Sequence, residues 1–172
     1  GQPDLFVIPR DGGDPVPYLQ ADWSEEDGAI SPDGAWAAYV SDQSDSDRVY
    51  VRSFPDPGPP TQISQGTGDG PRWSPSGTTL YYQSPDSVYA AVLSFDSGVT
   101  VESRRALFAR DTELGRLTDW DVHPDGGFIG VIEPDAPEEE DDEERARIAP
   151  ARGYVVVNWV EEMLRRVSGG GT

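Results

Sequence analysis

A four-residue turn motif occurs three times in this chain at nearly regular spacing. Its first positions are residues 31, 74 and 123, so the intervals are 43 (74 − 31) and 49 (123 − 74) residues. Proline presets φ at the second position and glycine accepts the left-handed conformation at the fourth, which predicts a β-hairpin at each copy. Repetition at roughly 40–50 residues is typical of a propeller built from four-stranded blades. The copies are Ser31-Pro32-Asp33-Gly34, Ser74-Pro75-Ser76-Gly77 and His123-Pro124-Asp125-Gly126.

The segments around each turn repeat as well. β-branched and aromatic residues dominate after every copy, as strands favour, and further strand-like segments follow. The sequence therefore predicts an all-β fold of four-stranded antiparallel blades of β-propeller type, about three to three and a half in number, forming one partial propeller over residues 1–172. A short C-terminal helix is predicted because Val160, Met163, Leu164 and Val167 have the i, i+3, i+4, i+7 spacing of one helix face. The predicted parts are a half blade at 4–19, blades at 22–64 and 67–108, a last blade at 117–159 with an acidic insert at 134–150, and the helix at 160–167.

These residues resemble a known repeat. An apolar or aromatic residue, the Ser-Pro-Asp-Gly turn and a strand ending near Tyr39-Val40-Ser41 are together similar to the TolB-type (WD40-like) β-propeller repeat, from about Leu5 to Ile132. The segment at 155–164 is similar to the closing strand and short helix of propellers behind bacterial serine/threonine protein kinase domains. The sequence departs from the repeat at His123, at Ser76 and in the acidic insert. The resemblance implies a bacterial, periplasmic or extracellular propeller that presents loops to protein or peptide partners.

The charge of the chain limits those partners. Acidic residues exceed basic ones by 32 to 13, which gives a net charge of −19, and every base is Arg. A surface this acidic repels the phosphate backbone of nucleic acids and anionic membranes, so we expect neither as a partner. No stretch approaches the roughly 20 apolar residues of a membrane span, and with no Cys the fold needs no disulfide. No signal peptide is visible, but Gly1 is not a natural start, so we expect a processed chain or a part of a longer one.

Few residues suggest chemistry. His123 is the sole histidine and occupies a turn position that Ser fills in the other two copies. No Gly-x-Ser-x-Gly elbow accompanies it, and the acids at 42, 45 and 47 lack the spacing of a calcium-binding loop. The acidic run at 138–144 is interpreted as a solvated loop. We therefore predict no catalytic, cofactor-binding or metal-binding residues and no enzyme activity, and we interpret all three motif copies as structural turns.

The number of blades bears on function. Complete propellers have about 4–8 blades, more than this sequence supplies, and open blade edges are avoided in natural proteins. The leading hypothesis is a non-catalytic interaction or scaffold module, the C-terminal part of a larger TolB-type propeller protein. A second is a self-assembling structural subunit, in which copies complete one another's blades as a ring or filament and further copies of the chain are the partners. A third is the propeller that gates a prolyl oligopeptidase-like peptidase, whose catalytic domain would lie elsewhere.

Overall fold

The computed structural model describes residues 2–135 and 154–157, and every regular element in this part of the chain is a β-strand. The all-β prediction is therefore confirmed. The predicted helix at 160–167 and most of the acidic insert lie outside the described residues. The strands are β1 Leu5–Val7, β2 Val16–Leu19, β3 Glu25–Ile30, β4 Trp36–Ser41, β5 Arg48–Ser53, β6 Thr61–Gln62, β7 Asp69–Trp73, β8 Thr79–Gln83, β9 Ser87–Ser94, β10 Thr100–Ala109, β11 Asp111–Thr112, β12 Gly115–Val122, β13 Phe128–Glu133 and β14 Tyr154–Val157.

These strands form one hairpin and three four-stranded antiparallel sheets, as expected for blades. The hairpin pairs β1 with β2 at the predicted half blade. Two sheets follow chain order, β3-β4-β5-β6 over residues 25–62 and β7-β8-β9-β10 over residues 69–109. Chain contacts divide the protein into two compact units, residues 1–109 with the hairpin and these two sheets, and residues 110–172 with the third sheet.

The third sheet differs from the predicted last blade in one strand. Strands β12, β13 and β14 pair in the expected order, but the short strand β11 adds to the opposite edge, beside β12. The chain folds back there because Gly115 adopts φ +123° and the Thr112 hydroxyl donates to the Gly115 carbonyl at 2.7 Å. The fourth strand of this sheet is therefore β11, which directly precedes β12 in the chain. The turn motif does not predict a strand at this position.

The core of the first unit lies between its two four-stranded sheets. Six of its nine buried residues are Ala, Val or Ile, small or β-branched side chains that suit closely packed strands. Trp73 ties the sheets together, since its indole N–H donates to the Ala29 carbonyl on β3 at 3.1 Å, and Trp36 stacks on Phe95 with ring centres 4.9 Å apart. Both tryptophans are therefore packing residues at the contact between the two sheets. The buried residues of this core are Ala38, Val40, Val49, Val51, Ile63, Leu80, Tyr82, Ala91 and Leu93.

Candidate functional site

The three motif copies form the turns between β3 and β4, between β7 and β8, and between β12 and β13. The glycines at the fourth position have φ of +73°, +73° and +86°, the left-handed conformation that the motif requires. Each glycine N–H donates to the carbonyl of the first motif residue at 2.8–2.9 Å. The residues concerned are Ser31, Pro32, Asp33, Gly34, Ser74, Pro75, Ser76, Gly77, His123, Pro124, Asp125 and Gly126, and the hydrogen bonds of these turns join residues of the same hairpin.

The first motif position closes the hairpin through its side chain. Ser31 Oγ accepts from the Trp36 N–H at 3.0 Å, and Ser74 Oγ accepts from the Thr79 N–H at 3.1 Å. Both serines are buried, so these bonds satisfy strand donors that water does not reach. His123 has an exposed side chain, whose Nδ1 accepts from the N–H of Asp125 at 3.2 Å. The sole histidine therefore orders its own turn.

Two carboxyl groups meet where the first strands of neighbouring sheets approach. Strand β3 bulges between Glu26 and Ala29 and β7 bulges between Asp69 and Arg72. Asp27 and Gly70 adopt φ of +52° and +55° at these bulges. A hydrogen bond with the carboxyl group of Asp69, followed by partial burial and the Asp69 charge, raises the pKa of Asp27, while Arg72 and the Gly70 N–H lower it. Asp27 and Asp69 therefore form a pair that is better accommodated when one carboxyl is protonated.

This pair predicts a pH-dependent stability. The pKa of Asp27 in the folded protein lies above its value of 3.8 in the unfolded chain. The contribution of Asp27 to folding stability is therefore fully present below pH 3.8 and is lost as pH rises through the folded-state pKa. Asp27→Asn should abolish this loss of stability at high pH, and Asn tolerates a positive φ as well as Asp does. We expect the variant to be more stable than the parent at pH 7 by about 0.5 kcal/mol, the size of an exposed charge interaction. Urea unfolding at pH 7 and pH 3.5 measures the gain, which should vanish at the lower pH.

Two further variants control for this prediction. Asp69→Asn removes the same repulsion from a residue without a positive φ, and should give a gain of the same sign. Asp33→Asn should instead lower the stability at pH 7, because hydrogen bonds from Ser31 and from the Ala35 N–H lower the pKa of Asp33. The contribution of the Asp33 carboxylate to folding stability is present above pH 3.8 and is lost as pH falls through the folded-state pKa. A gain at pH 7 that persisted unchanged at pH 3.5 would contradict the paired-carboxyl account.

A buried carboxyl group also lies near the contact between the hairpin and the first sheet. Glu25 is 4% exposed, and its Oε2 has no hydrogen-bond partner among the described residues. Burial, together with the charges of Asp4 and Asp42, raises the pKa of Glu25, and the charge of Arg52 opposes this. At the same contact, the Glu25 N–H donates to the Pro3 carbonyl at 3.0 Å, and the Tyr18 hydroxyl donates to the Ser53 carbonyl at 2.6 Å, which connects β2 to the end of β5. These two hydrogen bonds hold the hairpin on the sheet.

The first unit contains an open crevice of about 410 Å³. Its aromatic wall is Tyr82 and Tyr89, directly opposite each other on β8 and β9, with ring centres 5.4 Å apart and planes 9° from parallel. Burial raises the pKa of Tyr82, and the neighbouring positive charge of Arg104 on β10 opposes that rise. A cleft of this size with aromatic walls and a few polar groups is of the kind that binds small ligands or side chains. The lining residues are Gln65, Gly66, Thr67, Tyr82, Ser84, Pro85, Asp86, Tyr89, Arg104, Arg105 and Ala106.

Sequence reasoning did not identify the crevice or the carboxyl pair. The crevice draws on residues from the segment after β6 and from β8, β9 and β10, so no short motif contains it. One local signal was available, because Arg104 and Arg105 are adjacent in a chain with only 13 bases. Among the described residues, no group of three or more His, Cys, Asp or Glu side chains is placed to hold a metal ion. In the same part of the chain, no helix has the length and apolar character needed to cross a membrane.

No protein-family model matches this sequence, and no curated protein matches it. Solved structures do match. TolB from Acinetobacter baumannii is 21% identical with a TM-score of 0.56, over 75% of this chain and 32% of that protein. An oligogalacturonate lyase from Vibrio parahaemolyticus is 14% identical with a TM-score of 0.57, over 76% of this chain and 36% of the lyase. A TolB candidate from Agrobacterium tumefaciens is 21% identical with a TM-score of 0.52, over 76% of this chain and 54% of that protein.

The chain thus spans between about a third and about half of the length of these proteins. At such low identity the similarity concerns the fold and carries no statement about activity. The link to kinase-attached propellers stays a prediction. Three four-stranded antiparallel sheets, three hairpins closed by the same turn and the match to two TolB structures agree with one another. This chain has the fold of a TolB-type β-propeller, in the form of a partial propeller.

Proposed function

We propose that this chain is the C-terminal part of a larger bacterial TolB-type propeller protein and acts as a non-catalytic interaction module. The observation that carries the proposal is the two-stranded sheet of β1 and β2. Within the described residues, β1 has a strand on one side only, and a two-stranded hairpin is marginal by itself. Apolar side chains lie exposed on this hairpin and just after β1: Phe6 is 46% exposed, Val16 is 58% exposed, and Ile8, which follows β1, is 70% exposed. Such an edge is suited to pairing with the inner strands of the same blade.

The non-catalytic part of the proposal rests on the roles of the candidate groups. His123 is engaged with its own turn, and the motif serines bond to strand N–H groups. A nucleophile needs a base within hydrogen-bond reach and a site for the developing oxyanion. Propellers host both enzymes and binding proteins, so the lyase among the similar structures does not decide the matter. Turnover of a substrate that is lost in His123→Ala would contradict this part.

The proposed partners are proteins or peptides, in the periplasm or outside the cell. A net charge of −19 disfavours nucleic acids and anionic membranes because of repulsion. The free edge of β1 also favours a second candidate function, a structural subunit that assembles with copies of itself. In that case a neighbouring copy supplies the strands that pair with β1, and contacts that do not close on themselves build filaments.

Amide hydrogen exchange at β1, combined with light scattering, tests the proposal. We expect the 172-residue chain to be an 18.7-kDa monomer in which the free-edge amides of Leu5–Val7 exchange rapidly. In a protein extended by its own upstream coding sequence, the same amides should be protected by the added strands. Protection in a defined ring or filament of the 172-residue chain would support the subunit function instead. A monomer with β1 fully protected would contradict both.

A further inference from the structure

The strongest site outside the hairpin edge is the crevice of the first unit, and its central group is Arg104. The register of β10 on β9 pairs Arg104 with Ala91 and Ala106 with Tyr89, so the Arg104 side chain is on the same sheet face as Tyr89 and Tyr82. Its Nε donates to the Ile63 carbonyl at 2.5 Å, which anchors the guanidinium against the first sheet. The guanidinium has four further N–H donors, and none has a hydrogen-bond partner among the described residues. A half-buried guanidinium with free donors is a strong site for a carboxylate.

The groups around Arg104 fit a negatively charged ligand. The side chains of Gln65 and Thr67 line the crevice, and neither has a hydrogen-bond partner within the described part of the chain. Asp86, the one acidic residue in the lining, lies on the exposed turn between β8 and β9, whereas Arg104 is half-buried beside the tyrosine pair. The Arg105 side chain is on the opposite sheet face, beside Tyr81. Arg104 therefore gives the half-buried wall of the crevice a positive charge in a chain whose net charge is −19. The polar groups would orient the ligand and the tyrosine pair would contact its apolar part.

The position of the crevice beside an edge strand suggests what kind of molecule carries the carboxylate. Strand β10 is the outermost strand of its sheet and the longest described strand, with 10 residues. In the described residues only β9 pairs with it, so a row of N–H and C=O groups faces outward. Arg104, Arg105 and Ala106 belong both to this strand and to the crevice. An extended peptide that pairs with β10 would direct every second side chain to the crevice side.

We propose that this crevice binds an extended peptide segment, paired with β10, whose acidic side chain is held by Arg104. The segment carries one or two carboxylates, because a long acidic run would be repelled by the net charge of −19. The main chain of β10 supplies affinity, and the crevice supplies the preference for an acidic residue. This inference rests on the proposed role as an interaction module and assigns that role a binding site and a ligand chemistry.

Calorimetric titration with two matched peptides tests the proposal. The probes are acetyl-TVEVT-amide and acetyl-TVQVT-amide, which differ only in the charge of the central residue. We expect the Glu peptide to bind about tenfold more tightly than the Gln peptide, since a hydrogen-bonded charge is lost in the latter. Arg104→Gln should remove this preference, and Asp86→Asn should increase it. Free glutamate should bind far more weakly than the peptide, because it cannot pair with β10.

Matched variants distinguish the effect of Arg104 in the crevice from the effect of net charge. Arg10→Gln changes the net charge by the same amount as Arg104→Gln, but Arg10 lies on the exposed turn between β1 and β2 and is not part of the crevice lining. This variant should leave the preference for the Glu peptide unchanged. If Arg104→Gln does not fold, Arg104→Lys replaces it as the test variant. Lys keeps the positive charge but lacks the guanidinium geometry, so this variant should show a reduced preference for the Glu peptide. Equal binding of the two peptides, equal losses in Arg10→Gln and Arg104→Gln, or free glutamate binding as tightly as the peptide would overturn the proposal. Such a result leaves the exchange behaviour of β1 unchanged, so it is distinguishable from failure of the proposed function.

Discussion

Gly115→Ala is expected to disrupt the sheet of the second unit. Gly115 opens β12 with φ +123°, a conformation that L side chains rarely adopt. A Cβ there would overlap the carbonyl oxygen of Glu133 and lie 2.6 Å from the Cα of Pro134. Both neighbours are main chain at the end of β13, so relief would require breaking the pairing of Arg116 with Glu133. Backbone strain and steric overlap together should lower the free energy of unfolding by more than about 3 kcal/mol.

Gly126→Ala is the matched control. Gly126 also has a positive φ, +86°, but a Cβ there would meet no atom within 4 Å. This variant should therefore cost only the left-handed conformation, about 1–2 kcal/mol. Urea unfolding gives the two free energies, and amide exchange locates the loss, which should include β12 and β13. If both variants lost the same free energy of unfolding, the close approach of Gly115 to Glu133 would not exclude a side chain at position 115.

Leu80→Ala is expected to have a similarly large effect on the first unit. Leu80 is fully buried on β8 and packs in the core between the two sheets with residues such as Val49 and Ile63. Truncation removes apolar contacts and leaves a cavity, because closely packed sheets relax only in part. The expected loss in unfolding free energy is about 2–5 kcal/mol. A typical domain is stable by about 5–15 kcal/mol, so this loss is a large fraction of the total. Urea unfolding measures it, because the midpoint should fall by about 1 M or more.

Two substitutions test whether burial is the cause. Val92→Ala removes apolar atoms from a residue of β9 that is 40% exposed, and should change the unfolding free energy by about 0.5 kcal/mol or less. Leu80→Met nearly conserves the volume and should cost less than about 1.5 kcal/mol. If Val92→Ala and Leu80→Ala were equally destabilising, the core between the sheets would not be the main source of stability in this unit.

Much of the fold is predictable because its determinants are local. The turn glycines at 34, 77 and 126 require the left-handed conformation whatever surrounds them, and each defines the register of the hairpin around it. Repetition of these hairpins at propeller spacing then predicts the sheets in order. The prediction was incomplete at β11, because Gly115 lies in no recognised motif and its φ of +123° depends on the packing of β12 against β13.

The candidate site depended on contacts between sheets, which no sequence pattern predicts. The bond from Arg104 to Ile63 joins residues 41 positions apart, and the indole bond from Trp73 to Ala29 joins residues 44 positions apart. The carboxyl pair of Asp27 and Asp69 likewise exists only because bulges in β3 and β7 bring the two strands' side chains together. The sequence by itself determined the hairpins, the repeat and the acidic surface, since turn chemistry and charge are properties of neighbouring residues. Only the tertiary structure decided which sheet faces meet, since that follows from strand twist and close packing over the whole unit.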